Sequence, residues 1–222
     1  MADASTMSTY DRRRVVAHQF ADAQQQREAA TLGMWFFLVQ EVLFFGGLFA
    51  TYAVYRFRFP EAWAEASKEL DVMLGAVNTA VLIGSSLTMA MAVHGAQTGN
   101  RREQVISLVL TFLLGTTFLV IKGFEYHHKW VEHLIPGPGF QFHGPEAPHA
   151  RIFFAVYFAM TGMHAFHMVI GLGLLVWLIK NAAQGMYDAS YNIPVENFGL
   201  YWHFVDIVWI FLFPLLYLVS RH

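Results

Sequence analysis

Five apolar runs, each near the length needed to cross about 30 Å of hydrocarbon as a helix, constrain this chain more than any other feature. They cover Leu32–Tyr55, Val72–Val93, Val105–Ile121, Ile152–Ile179 and Phe198–Val219. Inside a bilayer the backbone finds no water, so its N–H and C=O groups must bond within the segment, and runs of this length are read as helices. Charged residues make up only 14% of the chain, against about 25% in a soluble domain. The expected fold is all-α, a polytopic bundle of five transmembrane helices. A polar N-terminal segment, 1–30, leads into one membrane domain, 31–222.

The third run is short for a span, and its helix is expected to continue through Lys122 and Glu125 into the headgroup region. The fourth is long and must tilt or protrude. An odd number of spans places the two termini on opposite sides. Arg and Lys divide seven against seven between the two sides, so the first helix decides the orientation. Arg12, Arg13, Arg14 and Arg27 precede it, which predicts a cytoplasmic N-terminus and an external C-terminus. No apolar stretch resembling a signal peptide precedes the first run, and Asp3, Asp11 and Asp22 depart from the acid-poor pattern of a transit peptide.

Composition removes several chemistries. The chain has no cysteine, which excludes disulfides, iron–sulfur clusters, thiolate copper centres and covalently attached c-type haem. A net charge of −2 with no long basic run gives no reason to invoke nucleic acid. Gly46, Gly47, Gly75, Gly84, Gly162, Gly171 and Gly173 lie within the runs, where small residues let helix backbones approach closely.

Against this apolar background a few ionisable groups stand out. Glu41 lies roughly ten residues into the first run, about 15 Å deep at 1.5 Å per residue. A charge at that depth costs at least about 2.5 kcal/mol on insertion scales, so such groups face the bundle interior, a partner or a water path. Glu41 reads equally as a carboxyl hydrogen-bonded across helices and as a proton-handling or lipid-facing group. His164 and His167, spaced i, i+3, share a helix face with Thr161. His203 and Asp206 have the same spacing, which suits a hydrogen-bond network. A b-type haem would need one histidine on each of two facing helices, from among His94, His164, His167 and His203. The stretch "EYHHKWVEH" does not have the spacing of a closed zinc site and reads as a solvated helix end of mixed charge.

Three motifs, in order, resemble one family: subunit III of the haem–copper terminal oxidases. "GMWFFLVQEVLFF" resembles its helix with a buried glutamate, which falls on Glu41. "TGMHAFHMVIG" resembles its pattern over Thr161, Gly162, His164, His167 and Gly171. "ENFGLYWHFVDIVWIFLF" resembles its ending, over Glu196, Tyr201, Trp202, His203, Asp206 and Trp209. Gln40 departs from the family, which often has a small serine-like residue there.

The resemblance implies the short five-helix bacterial form, closer in its glutamate-bearing helix to the cytochrome c branch than to the quinol branch. It implies a subunit with no redox centre, no catalytic residue and no metal ligand of its own. The haem and copper are then in partner subunits. Direct contact with the catalytic subunit I, contact with other oxidase subunits and bound phospholipid are implied too, with a role in sustaining proton uptake. Glu41 is then a buried acid in a lipid or proton environment. Thr161, His164, His167, Glu196, Trp202, His203 and Asp206 form a structural polar network. The location implied is the bacterial inner membrane, in a complex that reduces dioxygen to water and translocates protons. A proton-coupled carrier using Glu41 and a b-type cytochrome are the competing readings.

Overall fold

The computed structural model describes residues 16–142 and 146–218. Residues 1–15 of the polar N-terminal segment, and Val219 at the end of the last apolar run, lie outside them. Six α-helices carry the described chain: α1 Ala23–Arg58, α2 Pro60–Ala66, α3 Val72–Gln97, α4 Arg101–Val131, α5 Ala147–Ala183 and α6 Ile193–Phe213. All but α2 are long and apolar enough to cross a membrane. The described residues contain no β-strand, only a single bridge between Asp188 and Tyr191. The fold is thus an all-α five-span bundle.

Helices α1, α3, α4 and α5 each extend past their apolar runs, whereas α6 starts five residues before its run and ends inside it, at Phe213. The 36 residues of α1 make a rod of about 54 Å. Asp22 caps its start by accepting from Gln25 N–H at 2.7 Å, and Arg56 and Arg58 in its last turn suit the negative end of the helix dipole. Pro60 opens α2, a short helix that turns Trp63 inward against Tyr52 and Phe153. Asp71 caps α3 through Leu74 N–H. Pro214 follows α6, and the chain winds on to Leu218 in a wider π-type turn.

The hairpin of α3 and α4 is the most extensive helix pair. Gly99, at φ +72°, turns the chain in the left-handed region that glycine tolerates, and Asn100 caps α4 through Glu103 N–H. The two helices then run so close that a Cβ on Gly95 would stand 2.7 Å from the Gln104 backbone nitrogen. Above this crossing, Thr88 and Thr111 share a 2.8 Å hydroxyl hydrogen bond.

Helix α6 is the hub, packing on α3, α5 and α1. Its indole Trp202 is fully buried between two glycines of neighbouring helices. A Cβ on Gly115 of α4 or on Gly171 of α5 would stand 2.9 Å from the ring, so both positions must lack a side chain. Helix α1 is the outlier. It buries only Glu41, Phe45 and Tyr52, and leaves Phe36, Val39, Leu43, Val54 and Phe57 on the outside. Exposed apolar surface of this extent is untenable in water and natural in lipid. In the loop before α6, the Ser190 hydroxyl and backbone N–H donate to Asp188, which holds that carboxyl below its usual range.

Candidate functional site

The polar interior divides into three centres. The first joins α1 to α5. Glu41 and His167, both buried, meet with Oε2 and Nε2 3.1 Å apart. His167 Nδ1 lies 2.9 Å from the Met163 carbonyl oxygen, which can only accept, so Nδ1 carries a hydrogen. One further proton therefore lies between Nε2 and the carboxylate, on either atom: the pair shares it. The Tyr201 hydroxyl donates to the His167 carbonyl oxygen at 2.7 Å and ties α6 to the same point. Phe44 and Phe45 border the imidazole. The pair stands at the inner wall of an apolar groove of about 520 Å³, where Met34, Phe37 and Ile170 form other walls.

The second centre lies between α3 and α6. His203 Nδ1 is 2.7 Å from the Ser86 hydroxyl. One turn on, Asp206 is buried beside Ser86, yet neither of its oxygens has a hydrogen-bond partner among the described residues. His203 and Asp206 do not bond each other despite their spacing. Trp202 Nε1 donates to the Ser85 hydroxyl at 2.9 Å, and Gln97 Nε2 reaches Glu196 at 2.7 Å where α6 begins.

The Thr161, His164 and His167 face does not act as one cluster. His167 turns to α1, whereas Thr161 bonds Tyr126 of α4 at 2.6 Å. The Thr161 hydroxyl donates to the Tyr157 carbonyl, so Tyr126 is the donor to it. His164 is enclosed between the rings of Phe118 and Trp209, and neither nitrogen has a hydrogen-bond partner among the described residues.

The third centre lies on α4 just past the third apolar run, where Lys122 and Glu125 turn inward and not to solvent. Lys122 and Glu125 are only 3% and 4% exposed and lie inside the bundle. Lys122 Nζ donates to Glu125 at 2.9 Å, to the Tyr217 hydroxyl at 2.9 Å and to the Tyr157 hydroxyl at 3.2 Å. Both tyrosines donate onward to the other Glu125 oxygen. All three ammonium hydrogens and both carboxylate oxygens are used, which is the condition for keeping such a pair out of water. Lys129 is buried as well, held by the Glu69 carbonyl and by Glu132, so the charged part of "EYHHKWVEH" turns inward at Glu125 and Lys129 and leaves His127, His128 and His133 exposed. Within the ring, Lys122, Tyr157 and Tyr217 are outside the motifs singled out above, although helical spacing marks Lys122 and Glu125. Ser107, Thr111, Gly115, Phe118, Lys122, Glu125 and Lys129 follow one stripe of α4, and all are buried.

No three His, Asp or Glu side chains converge among the described residues. An apolar five-span bundle with acid–histidine, serine–histidine and lysine–glutamate pairs inside defines a multi-pass membrane protein. The family profile described as cytochrome c oxidase subunit III matches residues 12–221. The chain belongs to that family, the subunit III of haem–copper oxidases. It is 31% identical to cytochrome c oxidase subunit 3 of Thermostichus vulcanus, over 90% of this chain and 92% of that one. It is also 31% identical to the cytochrome bo(3) ubiquinol oxidase subunit 3 of Pseudomonas aeruginosa, over 92% of each. A haem–copper oxidase subunit I+III of Aeropyrum pernix is 33% identical over 84% of this chain, and the match takes up 22% of that longer chain.

Proposed function

We propose that the chain is the redox-inactive subunit III of a proton-pumping cytochrome c oxidase, and that it binds the haem-bearing subunit I directly. The family match over nearly the whole chain carries the reading, and the fused relative, in which both subunits are one polypeptide, favours the contact with subunit I. Haem and copper are assigned to the partner subunits on the family likeness; within this chain His167 pairs with Glu41 and His203 with Ser86. The glutamate helix favours a cytochrome c donor; the quinol branch is the second reading, supported by the Pseudomonas relative.

The same reading assigns phospholipid to the outer groove between α1 and α6. This groove is about 1170 Å³ and is lined by Phe45, Phe49, Phe204, Ile207 and Phe211, with Arg56 at its end for an anionic headgroup. Glu41 lines the smaller groove of about 520 Å³ beside His167, and on this reading it sustains proton uptake there without performing chemistry. Glu41→Ala in the assembled oxidase should leave the initial oxygen-reduction rate near wild type, while activity declines faster over successive turnovers. An immediate loss of nearly all activity, with subunits and haems still present, would overturn this assignment.

The setting proposed is a bacterial inner membrane with the N-terminus cytoplasmic. A cysteine placed at Gly139 should react with an impermeant reagent from outside, and one at Gly99 should not. The reverse pattern would invert the orientation.

A further inference from the structure

The seam between α3 and α6 has a polar point at mid-membrane that the bundle does not use. His203 lies ten residues into α6, about 15 Å from its start. Its side chain is half-buried, its Nδ1 is taken by Ser86, and no described residue bonds its Nε2. Asp206, 3% exposed, lies beside the same serine, and neither of its oxygens has a partner at ordinary hydrogen-bond geometry among the described residues. Lipid tails offer no hydrogen bond, so a partly exposed imidazole at this depth is costly against hydrocarbon. Around it the outer surface is otherwise apolar and partly small: Ile83 and Ala90 of α3, and Leu200, Ile207 and Ile210 of α6, all exposed. A small residue beside a polar one is what lets a second helix come close enough to bond. By contrast, the outer side of α4 shows Ile106, Leu110, Leu113 and Val120, which suit lipid.

We infer that the α3–α6 seam centred on His203 is the face on which a transmembrane helix of a partner subunit docks, with a hydrogen-bonding side chain of that helix opposite His203 Nε2. This rests on the reading of the chain as an oxidase subunit. The seam joins the phospholipid groove through Ile207, so protein and lipid contacts lie side by side on one flank of the molecule.

The test uses the assembled oxidase in its membrane, with a photo-crosslinking residue placed at Ile83, on the seam and outside the phospholipid groove, or at Leu113. The expected result is capture of subunit I from Ile83 and no protein capture from Leu113. Capture of subunit I from Leu113 with Ile83 silent would overturn the docking face and leave the subunit reading standing. Capture of a second copy of this chain from Ile83 would overturn the choice of partner. Failure of both positions to capture any oxidase subunit would overturn the inference together with the reading beneath it.

A second measurement isolates the hydrogen bond. His203→Gln keeps a polar nitrogen near the position of Nε2, and His203→Phe removes it. During detergent titration of the complex, retention of the chain should fall about threefold or more for His203→Phe, the size of one interhelical hydrogen bond, and stay near wild type for His203→Gln. Equal losses for the two would show that the nitrogen makes no contact with a partner.

Discussion

Replacing Lys122 by methionine is expected to destabilise the bundle by about 3–5 kcal/mol, the cost of leaving a buried charge without its partner. Glu125 would keep two tyrosine donors but lose the cation paired with it, in a place where water does not replace it. Unfolding of the purified chain in a graded mixture of mild and denaturing detergent measures the loss. The double change Lys122→Met with Glu125→Leu should recover more than half of it, because exchanging a whole buried ion pair for apolar groups is often neutral. A double variant as unstable as the single one would show that packing, and not the stranded carboxylate, sets the cost. The ring also ties Tyr217, beyond the last regular turn of α6, to α4, so the variant should loosen the C-terminal end first.

Trp202→Ala should cost a similar amount, about 3–5 kcal/mol, through the cavity left at the crossing of α4, α5 and α6. The hole would be bordered by Gly115 and Gly171, which have no side chain to lean into it. Trp202→Phe keeps most of the volume and loses the 2.9 Å hydrogen bond to Ser85, so its cost should be clearly smaller. The same detergent titration separates the two. Equal destabilisation would mean that the indole N–H matters more than the ring.

What could be read in the sequence followed from periodicity and hydropathy, and what could not depended on rotation between distant helices. The five spans were visible because nothing but a helix can bury runs of that length. Hydropathy stopped the third span at Ile121, since it treats Lys122 and Glu125 as groups that seek water. The 3.6-residue stripe from Ser107 through Glu125 to Lys129 held the better signal: a charge that continues a buried stripe points inward. No such stripe identifies the partner of Glu41, because its meeting with His167 depends on the relative depth and rotation of α1 and α5. Helix α2 went unseen because seven residues with one buried tryptophan are too few to show a period.

The scarcity of contacts made by α1 has a consequence for biosynthesis. Its inner ties are to His167, 126 residues later in the chain, and through Tyr52 to Leu215, 163 residues later. At roughly 5–20 residues per second, α1 waits about 6–25 s in the translocon or the bilayer before His167 has been made. Throughout that interval Glu41 has no helix to answer it, and the insertion penalty of about 2.5–3.5 kcal/mol for an acid at the helix centre falls on α1 alone. The phenylalanines, leucines and valines that leave α1 so exposed in the finished bundle are the residues that hold it in the membrane while it is still a solitary helix.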